Sequence, residues 1–324
     1  MKNQGDSPHP PASGEQTEET IKVIKNNMLS ANPEMFSALR GRLTENAPLG
    51  AESWFGCGGT ADLLFEPADF NDLIEFLKSY QGEMTILGGM ANVIVRDGGV
   101  RGCVIRLGKP FAEVKVEGTQ IHAGAGALNG TIAAAAVKAG ITGLEFLSGV
   151  PGTVGGALRM NAGAYGAEVK DVLVNATVVD RNGFMRILKP EKIGMSYRHT
   201  NIPEDYIFTH AVFEGHKDDP DAVRAKLKEI KAQRQATQPI AEKTGGSTFA
   251  NPPGLKAWEL IDKIGGRGFK IGGAQMSEKH CNFMINTGDA TAADLENLGD
   301  EMIRRVREQC GVELKWEIKR IGEF

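Results

Sequence analysis

The sequence predicts an α+β fold organised in two or three domains. Short apolar runs typical of strands alternate with a few helical segments along 324 residues, a length that exceeds one compact domain. Glycine is unusually frequent, with 41 residues in the chain, against a usual share of about 7%. The glycines cluster in loops between the apolar runs, and such loops let the backbone approach a bound ligand closely.

The composition narrows the possible partners. The formal net charge of −4 comes without a basic run, which argues against nucleic acid, and no apolar run reaches the roughly 20 residues that span a bilayer. Residues 1–28 are polar and lack the apolar core of a signal peptide, so we expect a disordered extension on a cytoplasmic protein. The cysteines, Cys57, Cys103, Cys281 and Cys310, are widely separated, and we expect neither a disulfide framework nor a metal site.

Periodicity predicts the secondary structure in order. Residues 70–80 carry apolar side chains at helical spacing. Residues 129–139 form an alanine-rich helix that ends at Gly140, and residues 221–235 form an amphipathic helix. Short apolar runs predict strands at 84–87, 93–95, 103–107, 172–179 and 207–213, with turns at 97–99 and 181–183.

Two glycine-rich loops are candidate ligand-binding loops. Residues 88–92 lie between two predicted strands, where backbone N–H groups could surround a phosphate; a tight turn that needs positive φ is the alternative. Residues 149–166 are denser in glycine and leave room for a flat ligand, with a glycine-rich core turn as the alternative. The candidate binding residues are Gly88, Gly89, Met90, Ala91 and Asn92, followed by Gly149, Pro151, Gly152, Thr153, Gly155, Gly156, Asn161, Gly163 and Ala164.

Three polar side chains outside these loops are candidates for catalysis. Ser247 lies between glycines and a bulky aromatic residue, which suits a proton donor or nucleophile, although the motif is not GxSxG. Arg198 follows Tyr197 in a loop after an apolar strand. Glu317 lies in a final predicted strand, opposite that strand's apolar residues. Each of the three could instead be an ordinary loop or solvent-facing residue.

Taken in order, these motifs resemble those of one family, the UDP-N-acetylenolpyruvoylglucosamine reductases (MurB). The resemblance runs from about residue 46 to residue 322. The short distance from Arg198 to Ser247 resembles the type II branch, and Ala91 stands where the family's first loop usually has serine. The matching segments are 46–49, 87–92, 95–99, 149–156, 160–166, 197–198, 246–252, 277–280 and 316–318.

The resemblance implies a domain organisation and a reaction. A flavin-binding part of the vanillyl-alcohol-oxidase (PCMH) type would consist of two α+β subdomains, at about 29–108 and 109–217, and residues 218–324 would form an α+β substrate-binding domain. FAD would be bound without a covalent bond, and NADPH would be the co-substrate. The product of UDP-N-acetylglucosamine enolpyruvate would be UDP-N-acetylmuramate. By the same resemblance, the catalytic residues would be Arg198, Ser247 and Glu317, and the UDP-sugar would contact Tyr197, Asn251 and His280.

The implied chemistry explains these residue types. Hydride addition to the terminal carbon of the enolpyruvyl group leaves negative charge on the α-carbon and its carboxylate, which Arg198 can stabilise. Ser247 can protonate the α-carbon if the transfer is coupled to the growing basicity of the enolate. Glu317 can stabilise that charge only while it is protonated, which requires burial and a raised pKa.

Two alternatives remain open at the level of sequence. Another flavin oxidoreductase of the same fold, such as a sugar or alcohol oxidase, often binds FAD covalently through a histidine, but none of the six histidines lies in the glycine-rich loops. A nucleotide-sugar-binding protein without catalysis would not need the set of Arg198, Ser247 and Glu317. The sequence does not fix the oligomeric state, although a monomer is favoured.

Overall fold

The structure, a computed structural model, describes residues 36–324, and the predicted extension of residues 1–28 lies outside them. The chain divides into residues 1–39 and residues 40–324, and all elements given below belong to the second unit. Their mixture of helices with parallel and antiparallel strands confirms the α+β class. In the part that the structure describes, no helix is both long and apolar enough to cross a lipid bilayer.

The first part of this unit is a four-stranded sheet with one long helix. Its elements are β1 (Arg42–Ala47), α1 (Leu49–Glu52), β2 (Ala61–Glu66), α2 (Phe70–Ser79), β3 (Met84–Leu87), β4 (Val93–Val95) and β5 (Val100–Arg106). The strand order is β1-β2-β5-β3, and β5 runs parallel to both of its neighbours. Helix α2 begins where the Asp69 carboxylate accepts from the N–H of Asp72, an N-cap bond of 3.0 Å. The predicted helix and strands are confirmed here, although β5 begins three residues before the predicted 103.

The second part is a five-stranded antiparallel sheet covered by helices. Its elements are β6 (Val114–Glu117), β7 (Gln120–Gly124), α3 (Asn129–Ala139), β8 (Ile141–Thr142), α4 (Val154–Arg159), β9 (Gly163–Ala164), β10 (Ala167–Glu168), α5 (Val169–Val172), β11 (Leu173–Val179), β12 (Met185–Leu188), α6 (Pro190–Ile193) and β13 (Ile207–Glu214), with 3-10 turns at Lys109–Phe111 and Glu145–Gly149. The strand order is β12-β11-β13-β7-β6. Helix α3 ends at Gly140, as predicted, because this glycine adopts φ +63°.

The third part has short strands and three helices. Its elements are β14 (His216–Lys217), α7 (Pro220–Thr237), β15 (Phe249–Ala250), α8 (Ala257–Lys263), β16 (Lys270–Ile271), β17 (Ala274–Met276), β18 (Met284–Asn286), α9 (Ala292–Cys310), β19 (Lys315–Trp316) and β20 (Lys319–Ile321). The single final strand expected around Glu317 is wrong, because the segment is broken there. Strand β19 pairs with β15, whereas β20 pairs in parallel with β4 of the first part.

The apolar cores show how the three parts are joined. One core lies under the second sheet and includes Val223 and Leu227 of α7. Another core lies between α8 and α9 and includes Phe55 and Ile94 from the first part of the chain. The expected domain boundaries at 108 and 217 stay a prediction, and the structure adds that side chains on both sides of each boundary share these cores or pair as strands.

Candidate active site

A cavity of about 1170 Å³ lies where the three parts meet. Its wall includes the edge strand β3, both glycine-rich loops, the loop that contains Arg198, and segments around Ser247 and Glu317. A cavity of this size, with polar groups from several segments, is typical of a cofactor or substrate site.

The two glycine-rich loops are in direct contact. A Cβ atom at Gly88 would lie 2.5 Å from the Oγ1 of Thr153, and a Cβ atom at Gly89 would lie 3.1 Å from the Cα of Gly152. The first distance is shorter than Cβ contacts in proteins, so a side chain at Gly88 would force Thr153 or one of the two loops to shift. Gly152 also has φ +86°, a conformation that glycine adopts without strain. Gly88 therefore allows the two loops to lie close together, and Gly152 allows the second loop to turn.

Polar groups in the cavity wall fit a bound flavin nucleotide. The Oγ1 of Thr153 and the Oγ1 of Thr244 are buried, and neither has a hydrogen-bond partner among residues 36–324. Both residues line the cavity. Buried hydroxyl groups are rarely left unpaired. Two such groups beside a side-chain-poor cradle are what a ligand with many acceptor atoms would satisfy.

The structure brings most predicted cofactor residues to this wall. Asn161 is the exception, because its side chain is fully buried and lies outside the cavity lining. The predicted residues that line the cavity are Gly88, Gly89, Met90, Ala91, Asn92, Gly149, Pro151, Gly152, Thr153, Gly155, Gly156, Gly163 and Ala164.

Arg198 is at the tip of a tight turn that points it at Glu317. Ser196 and His199 exchange two backbone hydrogen bonds around it, and Arg198 itself has φ +55°. The turn follows the short helix α6, not the apolar strand that the sequence suggested. Arg198 Nε donates to Glu317 Oε1 at 2.8 Å, and its Nη2 donates to the carbonyl oxygen of Gly163 at 3.1 Å. With its side chain only 22% exposed, Arg198 is not a solvated surface residue.

Glu317 is held by its backbone as well as by its carboxylate. Its N–H donates to the carbonyl oxygen of Thr248 at 2.8 Å, and its own carbonyl accepts from Asn92 Nδ2 at 3.1 Å. The side chain is 12% exposed, so the solvent-facing alternative is wrong. Burial raises the pKa of Glu317 above the usual carboxyl range, and the neighbouring Arg198 opposes that rise.

Ser247 lies on the same wall in a firmly held segment. Thr248, the next residue, is fully buried, and it accepts from the N–H of Met284 and donates its own N–H to the carbonyl of Asn282. Ser247 forms an isolated bridge with Phe283. Within the described part of the chain, the Ser247 hydroxyl has no hydrogen-bond partner, which leaves it available to a substrate.

The three predicted substrate-binding residues lie outside the cavity lining. The ring of Tyr197 lies 4.9 Å from the Arg198 guanidinium carbon. The ring of His280 packs edge-on against Phe283, with 4.8 Å between the ring centroids. Asn251 is exposed, and its Oδ1 accepts from the N–H of Ala257 at the start of α8. Their contact with a substrate stays a prediction.

Sequence reasoning missed Arg159 and Thr244. Arg159 Nη1 donates to the carbonyl oxygens of Ile202 and Pro203 at 2.8 and 3.0 Å, and its Nη2 donates to that of Tyr206. These bonds hold the loop that follows Arg198 against the cavity. Arg159 lies inside the second glycine-rich loop, but no pattern in the sequence links it to carbonyl groups more than 40 residues away. Thr244 precedes the Ser247 motif, and only its burial without a partner reveals it.

Comparison with known proteins identifies the family. A family model described as UDP-N-acetylenolpyruvoylglucosamine reductase, C-terminal domain, matches residues 238–321, and one described as FAD binding domain matches residues 62–189. The UDP-N-acetylenolpyruvoylglucosamine reductase of Paramagnetospirillum magneticum is 54% identical over 291 residues, or 89% of this chain and 95% of that protein. The chain belongs to the UDP-N-acetylenolpyruvoylglucosamine reductase family.

Other members of this reductase family are also similar to the chain over most of its length. The enzyme of the same name from Maricaulis maris is 54% identical over 88% of this chain and 93% of its own length. The crystal structure of the Thermus caldophilus reductase superposes with a TM-score of 0.76 at 31% identity, covering 88% of this chain and all of that one. The resemblance and the flavin-binding fold expected from the sequence are thereby confirmed, and family membership decides against a sugar or alcohol oxidase.

Proposed function

We propose that Arg198, Ser247 and Glu317 carry out the reduction of the enolpyruvyl group in this reductase. The enzyme is an FAD-dependent oxidoreductase that converts UDP-N-acetylenolpyruvoylglucosamine to UDP-N-acetylmuramate with NADPH as co-substrate. One observation carries the assignment of residues. A buried carboxyl group that hydrogen-bonds an arginine lies in the wall of the cavity that the two glycine-rich loops line.

The two glycine-rich loops would hold FAD. Their contact at Gly88 and Thr153 lines this part of the cavity with glycines and few bulky side chains, which suits the close approach of a pyrophosphate and a flat ring system. The unpaired hydroxyl of Thr153 would be satisfied by the cofactor. Ala91 offers no hydroxyl at the matching point of the first loop, so this loop would contribute through its backbone. No histidine lies in either loop, in keeping with non-covalent binding.

When bound and reduced by NADPH, the flavin would supply the hydride that adds to the terminal carbon of the enolpyruvyl double bond. The pair of electrons displaced from that double bond moves to the α-carbon and its carboxylate. Arg198 would stabilise this charge with N–H donors already fixed by its turn. Ser247 would then donate its proton to the α-carbon, which completes a saturated lactyl group, and water would return a proton to the Ser247 oxygen before the next turnover.

Glu317 would act on the same charge as a neutral hydrogen-bond donor. An ionised carboxylate would repel the enolate, whereas a protonated one donates to it. Burial favours the protonated form by raising the pKa of Glu317. Arg198 opposes this rise in the pKa of Glu317. A substrate carboxylate that binds Arg198 would weaken the contact between Arg198 and Glu317, and the pKa of Glu317 would rise further.

The UDP moiety would extend beyond the cavity wall toward Asn251, whose side chain is exposed. Tyr197 would contact the substrate beside Arg198. His280 would support the substrate site by packing on Phe283, a residue of the cavity wall. The three contacts are proposed from family resemblance and from these neighbours.

Ser247→Ala tests the proposed function because the reaction has two halves. NADPH should reduce the bound flavin at close to the normal rate, since Ser247 has no part in that step. Flavin reoxidation by the enolpyruvyl substrate should slow by about 10²–10⁴-fold, the usual contribution of a positioned general acid. Stopped-flow absorbance of the flavin measures both rates, with the exposed Ser79→Ala on α2 as the matched control. Normal reoxidation in Ser247→Ala would refute the role.

A further inference from the structure

Asn161 is a polar residue of the second glycine-rich loop that faces away from the cavity. It is fully buried, and its backbone has φ +40°, a left-handed conformation that asparagine tolerates better than most residues. Its side-chain amide makes three hydrogen bonds. Oδ1 accepts from the N–H of Lys170 at 2.9 Å, while Nδ2 donates to Glu168 Oε2 at 3.0 Å and to the carbonyl oxygen of Ser196 at 2.9 Å.

The Ser196 carbonyl lies at the base of the turn that carries Arg198. Ser196 and His199 close this two-residue turn through their backbone hydrogen bonds. The tip of the turn is bound to the same glycine-rich loop, because Arg198 Nη2 donates to the carbonyl oxygen of Gly163. Residues 161 and 163 therefore hold the turn at two points, its base and its tip.

This double attachment is needed because the turn is not a relaxed conformation for arginine. A φ of +55° is uncommon for residues other than glycine, and it persists only when surrounding contacts impose it. The amide of Asn161 meets this need with a donor toward Ser196 and an acceptor toward Lys170. An aspartate at this position would offer no donor to either the Ser196 carbonyl or the Glu168 carboxylate.

We propose that Asn161 is a positioning residue for Arg198, and that it fixes the turn at Ser196 instead of contacting the cofactor. The proposal rests on the role of Arg198 proposed above. It makes the second glycine-rich loop bifunctional: one face forms the flavin cradle and the opposite face sets the direction of the guanidinium.

Asn161→Gly tests the proposal without adding backbone strain, since glycine accepts positive φ. The variant should retain FAD and should be reduced by NADPH at close to the wild-type rate. Reoxidation by the enolpyruvyl substrate should slow by about 10²-fold, a typical result of misplacing a catalytic group by about 1 Å. Asn161→Asp is the second variant, because it keeps the size of the side chain and removes its N–H donors; the same selective loss is expected.

The double variant with Arg198→Ala separates positioning from general damage. In the Arg198→Ala background, adding Asn161→Gly should change reoxidation by less than about twofold, because there is no guanidinium left to position. Asn286→Ala is the matched control: this buried asparagine also makes three hydrogen bonds, and they lie away from Arg198. Its effect should be the same with and without Arg198.

An equal loss from Asn161→Gly in both backgrounds would overturn the proposal. Release of FAD by Asn161→Gly and Asn161→Asp would overturn it as well. If Arg198→Ala alone leaves reoxidation unchanged, then the proposed function of Arg198 fails first and the positioning role fails with it. A normal Asn161→Gly beside a slow Arg198→Ala refutes the positioning role alone.

Discussion

Arg198 and Glu317, 119 residues apart in the sequence, are joined by a hydrogen bond of 2.8 Å between Nε and Oε1. The pair links the turn after α6 to the break between β19 and β20. Through its backbone carbonyl, Glu317 is also bound to Asn92 in the first glycine-rich loop. Arg198, Glu317 and both glycine-rich loops are thus joined by hydrogen bonds into one unit.

Arg198→Lys should behave almost like a deletion. Lysine keeps the charge, but its single ammonium group cannot reproduce the planar fork that donates to Glu317 and to the Gly163 carbonyl together. We expect FAD to remain bound and reoxidation by substrate to slow by about 10²–10³-fold, as for loss of one donor to a developing oxyanion. Stopped-flow reoxidation measures this. A lysine variant within threefold of wild type, roughly 0.7 kcal/mol, would mean that charge alone is sufficient.

Glu317→Gln should keep more activity than Glu317→Ala, because a neutral amide can donate a hydrogen bond as a protonated carboxyl group does. In the wild type, burial raises the pKa of Glu317. Activity should therefore fall as the pH rises through that pKa, since the donor loses its proton. Glu317→Gln should lack this alkaline limb. The measurement is the rate constant of flavin reoxidation by the substrate as a function of pH. If Glu317→Gln shows the same fall in rate at high pH as the wild type, then that fall is due to another group.

The raised pKa of Glu317 also predicts how the stability of the fold depends on pH. Between the ordinary carboxyl pKa and the raised pKa of Glu317, the folded state binds more protons than the unfolded state, so this residue's contribution to the free energy of unfolding falls as the pH rises. The difference in Tm between Glu317→Gln and the wild type should thus move in favour of the variant with rising pH. Thermal melts at several pH values test the sign, and a trend in the opposite direction would contradict a raised pKa.

Gly88→Ala should weaken FAD binding by about tenfold or more. The new Cβ atom would lie 2.5 Å from Thr153 Oγ1, and overpacking of this kind costs about 1–3 kcal/mol. In a Thr153→Ala background the clash is absent, and the added cost of Gly88→Ala should be small. Flavin fluorescence titration measures both cases. Equal weakening in the two backgrounds would show that the backbone conformation of Gly88, and not its contact with Thr153, is the cause.

Gly130→Ala is the matched control for this experiment. Gly130 lies within α3, and a Cβ atom there would meet nothing within 4 Å. Alanine should therefore stabilise the helix by about 0.5–1 kcal/mol and leave FAD affinity unchanged. Weaker FAD binding by Gly130→Ala would mean that α3 responds to the flavin in a way that the contacts do not show.

Glu296→Ala should destabilise the fold more than loss of a surface ion pair. Glu296 on α9 is 5% exposed and accepts from Arg96 Nε at 2.8 Å and from Arg96 Nη2 at 3.2 Å. Its removal leaves the Arg96 guanidinium, whose side chain is 23% exposed, without its carboxylate, at a cost of about 1.5–3 kcal/mol. Lys78→Ala is the control, since Lys78 and Glu75 form an exposed pair whose loss should cost no more than about 0.5 kcal/mol. Chemical denaturation compares the two, and similar losses would contradict the prediction.

The elements could be predicted wherever a local signal decides them. Helix α3 has helix-forming alanines and a glycine that ends it, and the turn at 181–183 joins two antiparallel strands as its Asn-Gly pair indicates. The segment around Glu317 has no such signal. Its strand pattern is broken because β19 and β20 pair with β15 and β4, partners that are far away in the sequence. Only the folded chain shows which partners these are.

The candidate site could likewise be predicted only in part from the sequence. Resemblance to the family identified Arg198, Ser247 and Glu317 as residues of interest, but it could not show that Asn92 bonds the Glu317 carbonyl across 225 residues. It also grouped Asn161 with the cofactor residues, whereas the structure places the buried Asn161 side chain outside the cavity lining. Only the folded chain shows this placement.

The pairing of β20 with β4 sets an order of events during protein synthesis. The first glycine-rich loop is synthesised early, but β4 can pair with β20 only after residues 319–321 have been synthesised. In the same way, Arg96 can donate to the carbonyl oxygen of Gly322 only after that residue, 226 positions later, has been added. Glu317 arrives in the same late segment, two residues before β20 begins. A nascent chain therefore carries much of the flavin cradle without the acid beside it. The role proposed for Glu317 therefore requires that this last strand has been synthesised and paired with β4.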